Sequence, residues 1–185
     1  MIKNIIVGIF ISLMFIACNN KDYLPKPQAQ LSLKYPATHY KQTNFPCPFN
    51  FEISNLALVK TNKKCWVTIT YPLLNASIDM TYMPINNNLK QLLKDAEKLT
   101  YSHAIKADGI NSQPYLNPSK NIYATLYHVT GNAASPLQFH ATDSIKHFIT
   151  GALYFNALPN YDSVYPAVKY IEKDIRHLIE TIKWK

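Results

Sequence analysis

The sequence predicts an α+β domain, a mostly antiparallel sheet with two main helices packed on it. Three observations lead to this fold class. Short segments in which apolar and polar residues alternate, as in half-buried strands, lie on both sides of a central helical segment. Short turns join most of these segments, which favours antiparallel pairing. The C-terminal segment repeats apolar side chains at spacings of three and four, so we expect a helix with one face buried on the sheet.

The N-terminal segment has the features of an export signal. Lys3 precedes an apolar run from Ile5 to Ile16. A helix needs about 20 residues to span a bilayer, so this run is too short, but it fits the hydrophobic core of a signal peptide. The run ends in the letters FIAC, which resemble the lipobox of bacterial lipoproteins. We therefore expect cleavage before Cys18 and its acylation; the alternative is a plain secretory signal with an incidental cysteine.

The sequence then divides into three regions. Residues 1–17 are predicted to be the lipoprotein signal peptide, and residues 18–30 a lipidated N-terminus with a tether that contains Pro25 and Pro27. Residues 31–185 have the length of one globular domain. The chain is thus expected to be held at a membrane by lipid, with one folded unit beyond the tether.

Alternating patterns predict the strands of this domain. In the first half, strands are expected over residues 49–59, 65–71 and 78–82. In the second half, the predicted strands are a short one ending at Leu116 and three longer ones, over residues 121–130, 137–141 and 146–155. The last two flank a turn at residues 142–145, so they form a hairpin.

Two amphipathic helices complete the domain. The first is predicted over residues 89–102, with Asn88 as N-cap and Gln91 as its capping-box partner. The second is the clearest element of the chain, and Asp162 or Ser163 is expected to cap it. Its apolar stripe consists of Val164, Val168, Ile171, Ile175, Leu178, Ile179 and Ile182. Such a continuous stripe must be buried, most simply on the sheet.

Composition excludes several functional classes. The formal net charge is +8, but Arg176 is the only arginine, and lysine lacks the planar fork that reads phosphates and base edges. Nucleic-acid binding is therefore not expected. The single arginine, Arg176, is instead predicted to pair with Glu172 on the outer face of the last helix. The glycines are widely separated, and the sequence contains no GxSxG, HExxH or CxxC motif. We expect no cofactor and no enzymatic activity.

Cys47 and Cys65 remain after Cys18 is assigned to the lipid. A compartment outside the cytoplasm permits a disulfide between them, and the chain-entropy model gives it roughly 3 kcal/mol of stability. However, a simple hairpin would place Cys65 opposite residue 60 or so, far from Cys47. A bridge then requires Cys47 to fold back from the strand, and two buried thiols are the alternative.

One cluster of residues has the chemistry of a metal site. A four-residue loop at 142–145 would place His140 opposite His147, with Asp143 at the turn between them. Two imidazoles and a carboxylate are metal ligands, so this cluster gives an alternative function, an envelope enzyme or a glycan- or metal-binding protein. The competing interpretation is two surface or half-buried histidines beside a turn aspartate.

Longer stretches of the chain resemble a known family. They include FPCPFNFE at residues 45–52, CW at 65–66, ASPLQF at 134–139, TDSIKHF at 142–148, GALYF at 151–155 and HLIETIKW at 177–184. Together they cover nearly the whole mature chain and resemble the gliding-motility-associated lipoproteins of Bacteroidota called GldD. Ile149-Thr150 departs from the family pattern, because a basic residue is expected before the glycine.

The resemblance implies a cell-envelope lipoprotein needed for gliding motility and for the associated type IX secretion system. Its partners would be other envelope proteins of that machinery, bound through the tyrosine-bearing sheet or the Pro46–Phe51 segment. The surface-exposed lipoproteins of this phylum carry an acidic cluster after the lipidated cysteine, whereas only Asp22 follows Cys18 closely here. The resemblance therefore implies the periplasmic face of the outer membrane. Asp143-Ser144-Ile145 and Asp162-Ser163-Val164 resemble the O-glycosylation triplet of the phylum, which makes Ser144 and Ser163 candidate modification sites.

Overall fold

The computed structural model describes residues 34–102, 106–157 and 160–185. The predicted signal peptide at residues 1–17 and the tether at residues 18–30, including Cys18, lie outside these residues and stay predictions. Within the described part of the chain, no helix is both long enough and apolar enough to span a membrane.

The predicted α+β class is confirmed. Eleven strands and two main helices form the described domain. The strands are β1 (Tyr40–Gln42), β2 (Phe49–Asn50), β3 (Glu52–Ser54), β4 (Leu58–Thr61), β5 (Val67–Tyr71), β6 (Ala76–Pro84), β7 (Gly109–Asn117), β8 (Ile122–Thr130), β9 (Leu137–Thr142), β10 (His147–Phe155) and β11 (Lys183–Trp184). The helices are α1 (Leu89–Ser102) and α2 (Tyr161–Glu180).

The main sheet has seven strands in the order β4-β5-β6-β10-β9-β8-β7, and all its pairings are antiparallel. Two small ribbons, β1 with β3 and β2 with β11, lie beside it. The predicted strand at residues 49–59 is therefore wrong as a single element. Its parts pair with three different strands, and a turn held by a hydrogen bond from the Ala57 amide to the Ser54 carbonyl separates the last part.

Two similar turns connect neighbouring strands of the sheet. Pro72 begins the 3-10 turn between β5 and β6, and Pro118 begins the one between β7 and β8. Each turn ends at an asparagine in the left-handed region, Asn75 with φ 49° and Asn121 with φ 53°. Proline presets the first φ and asparagine tolerates the last one, so the sequence specifies both hairpins locally.

The main core lies between the sheet and α2. The apolar stripe of α2 packs on this face, where Ile171 and Ile175 are fully buried. Phe49 and Phe51 are also fully buried in the same cluster. We call this side of the sheet the α2 face. Asn160, rather than Asp162 or Ser163, caps α2, because its side chain accepts a hydrogen bond from the Ser163 amide.

Helix α1 lies on the opposite side of the sheet, against β9 and β10. Its bounds agree with the predicted range, but only Leu92 and Thr100 are buried. The predicted capping box does not form. The Asn88 side chain accepts from the Asn86 amide instead, and the Gln91 side chain donates to Asp95. We call this side of the sheet the α1 face.

The predicted register of the β9–β10 hairpin is wrong. Thr142 pairs with Phe148 and His140 pairs with Thr150, whereas the expected partner of His140 was His147. The physical reason is the loop. One carboxylate oxygen of Asp143 accepts hydrogen bonds from three successive amides, those of residues 145, 146 and 147. These bonds hold a longer turn than the four residues assumed, and the pairing shifts accordingly.

The two outer strands of the sheet, β4 and β7, differ in length. Strand β7 has nine residues and exposes most of them, including Leu116. It carries Pro114 at its centre, opposite Thr125 of β8. Proline within a sheet is confined mainly to edges and bulges, so this residue fits the position of β7 in the strand order.

Candidate functional site

His140 lies on the α1 face of the sheet. Its ring is stacked with Phe148 at a centroid distance of 5.8 Å and lies 5.8 Å from the Tyr127 ring. Only 8% of the residue is exposed. Burial lowers the pKa of His140 to about 4, since a charged imidazolium is costly away from water. The imidazole is therefore neutral at neutral pH.

His147 lies on the other side of the sheet. It is three residues from Thr150, the register partner of His140, and side chains alternate along a strand. Its Nδ1 atom is 3.0 Å from the Tyr82 hydroxyl, and its ring stacks on Trp184 with centroids 5.4 Å apart. The strand itself thus separates the two histidines of the hypothesised metal cluster.

Asp143 serves the turn between β9 and β10. Partial burial opposes its ionisation, but the three amide hydrogen bonds outweigh that effect and lower the pKa of the carboxyl. The predicted set of His140, Asp143 and His147 is not brought together. Among residues 34–102, 106–157 and 160–185, no group of three or more His, Cys, Asp or Glu side chains is placed to hold a metal ion.

Cys47 and Cys65 are joined by a disulfide, with their Cα atoms 5.7 Å apart. The chain reaches this geometry because Cys47 belongs to the segment before β2, which folds back towards the β4–β5 turn. Cys65 adopts a positive φ of 58° in that turn. The bridge therefore links two loops, and both residues are buried in the main core.

The two candidate glycosylation serines are exposed. Ser144 has a φ of 67° at the tip of the β9–β10 turn, and Ser163 lies in the first turn of α2. The hydroxyl of Ser163 donates to the Asn160 carbonyl at 2.9 Å. Both positions are accessible from solvent, and their modification stays a prediction.

A groove of about 350 Å³ lies between α2 and the β7–β8 edge. We call it the α2 groove, and its polar, charged and aromatic lining includes Gln113, His128, Tyr161, Tyr165, Lys169, Glu172 and Arg176. Glu172 is 7% exposed and is the centre of a network. Arg176 donates to it at 2.7 Å and Lys169 at 2.9 Å. Arg176 also donates to the Gln113 side chain at 2.6 Å.

The predicted Glu172–Arg176 pair therefore forms, but it does not lie on an outer face. It is turned towards β7 and β8. Burial opposes ionisation of Glu172, but the hydrogen bonds from Lys169 and Arg176 prevail and lower the pKa of the carboxyl. Burial also lowers the pKa of His128, whose Nε2 is 3.7 Å from the Glu172 carboxylate. The spacing of the pair was visible in the sequence, whereas its contact with β7 was not.

A second buried carboxylate escaped the sequence analysis. Asp174 is 4% exposed and accepts hydrogen bonds from the hydroxyls of Tyr40, at 2.9 Å, and Tyr71, at 3.0 Å. Burial raises the pKa of Asp174, although the two tyrosines act in the opposite direction. Burial and the neighbouring Asp174 raise the pKa of both phenols. These contacts join β1 and β5 to α2.

Comparison with known proteins places this domain in a family. A family model described as gliding motility lipoprotein GldD matches residues 20–184. The chain belongs to the GldD family. The resemblance seen in the sequence is thereby confirmed. No curated protein matches the chain.

Membership of the GldD family associates the chain with gliding motility and implies a lipid-anchored protein of the cell envelope. The matched range covers every described element, from β1 to β11. It begins two residues after Cys18, so the acylation of Cys18 itself rests on the lipobox. The family description names no reaction.

The structure also bears on the two surfaces expected to bind partners in this GldD protein. In the Pro46–Phe51 segment, Cys47, Phe49 and Phe51 are buried in the core and are not available to a partner, whereas Pro46 is exposed. The tyrosines are divided among several places. Tyr161 and Tyr165 border the α2 groove with ring centroids 5.4 Å apart, and the Lys169 ammonium lies 5.8 Å from the centre of the Tyr165 ring.

Proposed function

We propose that the chain is a non-enzymatic assembly or scaffold factor for gliding motility and the associated type IX secretion. Lipid on Cys18 would hold it at the periplasmic face of the outer membrane. The single observation that carries the proposal is the family match over residues 20–184. A tethered domain of one compact unit suits a factor that keeps partners together near a membrane.

Three of the described carboxylates support the non-enzymatic part of the proposal. Glu172 is engaged by Arg176 and Lys169, and Asp174 by two tyrosine hydroxyls. Asp143 is engaged by three backbone amides. A general acid or base needs access to the proton of a substrate, whereas these groups are committed to holding elements of the fold together.

The α2 groove is the surface that we propose for partner binding. Glu172 is buried at its base, while Lys169 and Arg176 keep 49% and 36% of their side chains exposed. The charge offered to a partner is therefore positive. Tyr161 and Tyr165 add aromatic surface, and tyrosine and arginine are enriched in protein interfaces. The occupant that fits is an acidic segment of another envelope protein.

Crosslinking in intact cells followed by affinity recovery tests this proposal. The wild-type chain is expected to recover envelope partners, and a Lys169→Glu/Tyr165→Ala variant is expected to lose them together with colony spreading. Tyr101→Ala is the matched control, since Tyr101 is an exposed tyrosine on α1, away from the groove. Recovery of the wild-type chain alone, or equal recovery by the groove variant and the control, would refute the proposal.

The place of the protein in the envelope has its own test. Fractionation is expected to find the chain in the outer membrane, resistant to protease in intact cells and degraded after the outer membrane is opened. Mass spectrometry of the N-terminal peptide is expected to show an acylated Cys18. An unprocessed Met1, or degradation in intact cells, would contradict the proposed anchor or its orientation.

A further inference from the structure

An exposed apolar surface lies at the end of the domain next to Lys34, the first described residue. Leu73 is 82% exposed there, more than any other large apolar residue among those described, and Leu58, which pairs with Thr70 at the same end of the sheet, is 61% exposed. A depression beside them measures about 30 Å³. It has room for about two waters, so its rim and not its interior is the surface that another molecule would meet.

This rim is made of apolar and aromatic side chains. Those that line the depression include Tyr35, Pro36, Leu56, Leu73 and Leu74. With Leu58 they form one surface, which we call the leucine tip. Exposed apolar patches of this kind mark contacts with other proteins or with membranes. The position and the chemistry of the leucine tip distinguish between these two.

The chain is fixed to the leucine tip where it enters the domain. The Tyr35 ring stacks on the Tyr170 ring of α2 with centroids 4.7 Å apart. The Tyr170 hydroxyl donates to the Pro36 carbonyl at 3.1 Å and accepts from the Thr38 hydroxyl at 3.1 Å. The chain before Lys34 therefore joins the domain at the leucine tip.

The proposed anchor limits the distance between the leucine tip and a bilayer. Lys34 follows Cys18 by 16 residues. An extended chain of that length spans at most about 58 Å, so acyl groups on Cys18 would hold the tip within this reach of the lipid head groups. A tether also raises the effective concentration of the surface that the tip meets. The inference rests on the proposed function in this respect.

The chemistry of the leucine tip matches a lipid surface. Leucine gains free energy on leaving water, and tyrosine is enriched where hydrocarbon meets head groups. Within two positions of the tip residues along the chain, the charged side chains are those of Lys34 and Lys60, and no carboxylate lies in the same range. Both lysines are exposed, and lysine attracts anionic head groups. We propose that the leucine tip inserts into the bilayer interface and fixes how the domain faces the membrane.

The leucine tip is distinct from the α2 groove. The depression at the tip and the groove have no lining residue in common. Lipid at the tip therefore leaves the residues of the groove available to a protein partner. Two other occupants of the tip are a second copy of this chain and residues 19–33 of the chain itself. Both would replace the lipid, and the measurements below separate them from it.

Quenching of tryptophan fluorescence tests the inference on the full acylated chain. The chain is reconstituted in vesicles of phosphatidylethanolamine and phosphatidylglycerol with brominated acyl chains. Leu73→Trp is expected to emit at shorter wavelength and to be quenched. Leu116→Trp is the matched control, since Leu116 is 68% exposed on β7, at the other edge of the sheet. The wild-type chain gives the background from Trp66 and Trp184. Equal quenching of the two variants, or none above the background, would overturn the proposal.

A second measurement removes the anchor. The mature chain with Cys18→Ser is expected to sediment weakly with vesicles of the same two lipids. Adding Leu58→Ser and Leu73→Ser is expected to lower the partition about tenfold, because binding at an interface scales with the apolar area buried. Adding Leu116→Ser is expected to leave it unchanged. No sedimentation of the parent chain, or the same partition in all three proteins, would contradict lipid binding by the tip.

The remaining outcomes identify the other occupants and the anchor separately. Dimers in solution that dissociate on Leu73→Ser would assign the tip to a second copy. Protection of Leu73→Trp from a water-soluble quencher without vesicles would assign it to residues 19–33. Either result would overturn the proposal. The vesicle measurement on the Cys18→Ser chain needs neither acylation nor a partner, so its failure is distinct from an unacylated Cys18 in mass spectrometry, which contradicts the anchor.

Discussion

The two helices lie on opposite faces of one sheet, and they contribute to the fold very differently. Both have an apolar stripe at helical spacing. Helix α2 buries seven residues, whereas α1 buries two and leaves Leu99 56% exposed. The strands explain the difference, because the α2 face presents Phe139 and Leu153 and the α1 face presents Gln138 and His140. Helical spacing therefore predicts a helix and its inner side, but not how much of that side is buried.

The sharpest test of this comparison is Ile175→Ala. Ile175 is fully buried in the core, so the substitution leaves a cavity under α2. The free energy of unfolding is expected to fall by roughly 2–5 kcal/mol. Urea denaturation followed by circular dichroism measures it. A loss below 1 kcal/mol would contradict a core dominated by α2.

The disulfide between Cys47 and Cys65 contributes to the stability of the same core. A Cys47→Ala/Cys65→Ala variant is expected to lose about 3 kcal/mol of stability, since the unfolded chain is no longer constrained. Thermal unfolding with and without reductant measures this loss. The reductant is expected to lower the melting temperature of the wild-type chain and to leave the variant unchanged. Equal sensitivity of both proteins would show that the bridge is absent in solution.

Gly151→Ala tests how closely the α2 face is packed. A Cβ at this position would overlap Cε1 of Phe139, so the aromatic ring must move. We expect a loss of about 2 kcal/mol, typical of an overpacked core. Gly109→Ala is the control. Gly109 lies on the outer strand β7, and a Cβ there would have the Thr130 hydroxyl at 3.3 Å as its nearest contact. Denaturation midpoints compare the two, and a Phe139→Leu change is expected to restore part of the loss.

The α1 face is expected to carry a pH dependence through the buried ring of His140. His140 has a pKa of about 4 in the folded chain, well below its ordinary value of 6.5. The unfolded chain therefore takes up the proton first, and stability falls as the pH drops from 6.5 towards 4. Between pH 7 and pH 5 this site is expected to cost about 2 kcal/mol. Urea denaturation at both pH values should show a smaller loss for His140→Phe, and an equal loss in both proteins would contradict burial of a neutral ring.

Leu99→Ala is the smallest expected effect and the counterpart of Ile175→Ala. Leu99 belongs to the apolar stripe of α1 but is mostly exposed. Surface substitutions usually change stability by less than about 0.5 kcal/mol, and alanine is a good helix former. The same urea denaturation measures the change. A loss comparable to that of Ile175→Ala would show that the two helices are buried alike and would break the comparison.

The sequence was informative where a pattern is local and repeated. The α2 stripe, the bounds of α1 and the three longer strands of the second half follow from the spacing of apolar residues, whereas β7, with nine residues, is longer than the short strand predicted. The β9–β10 register did not follow, because one side chain, Asp143, fixed the turn through three amide hydrogen bonds. Because the register differs, His140 does not pair with His147, and the hypothesised metal cluster does not form.

The remaining site features depend on contacts between distant parts of the chain. The Glu172–Arg176 pair was visible as an i, i+4 spacing, but Gln113 lies 63 residues from Arg176 and gives no local signal. Asp174 meets Tyr71 across 103 residues. The Thr100 hydroxyl likewise donates to the Gln138 side chain between a helix and a strand that are adjacent only in the folded chain.

Pro114 affects how neighbouring copies of the protein can pair with one another. It lies in the middle of an outer strand, and its ring nitrogen has no hydrogen to offer a further strand. Copies anchored by lipid share a two-dimensional surface and meet one another often. A regular, uninterrupted edge would invite these copies to join into a continuous β-structure. One imino acid therefore helps to keep each molecule separate and available to other components of the envelope.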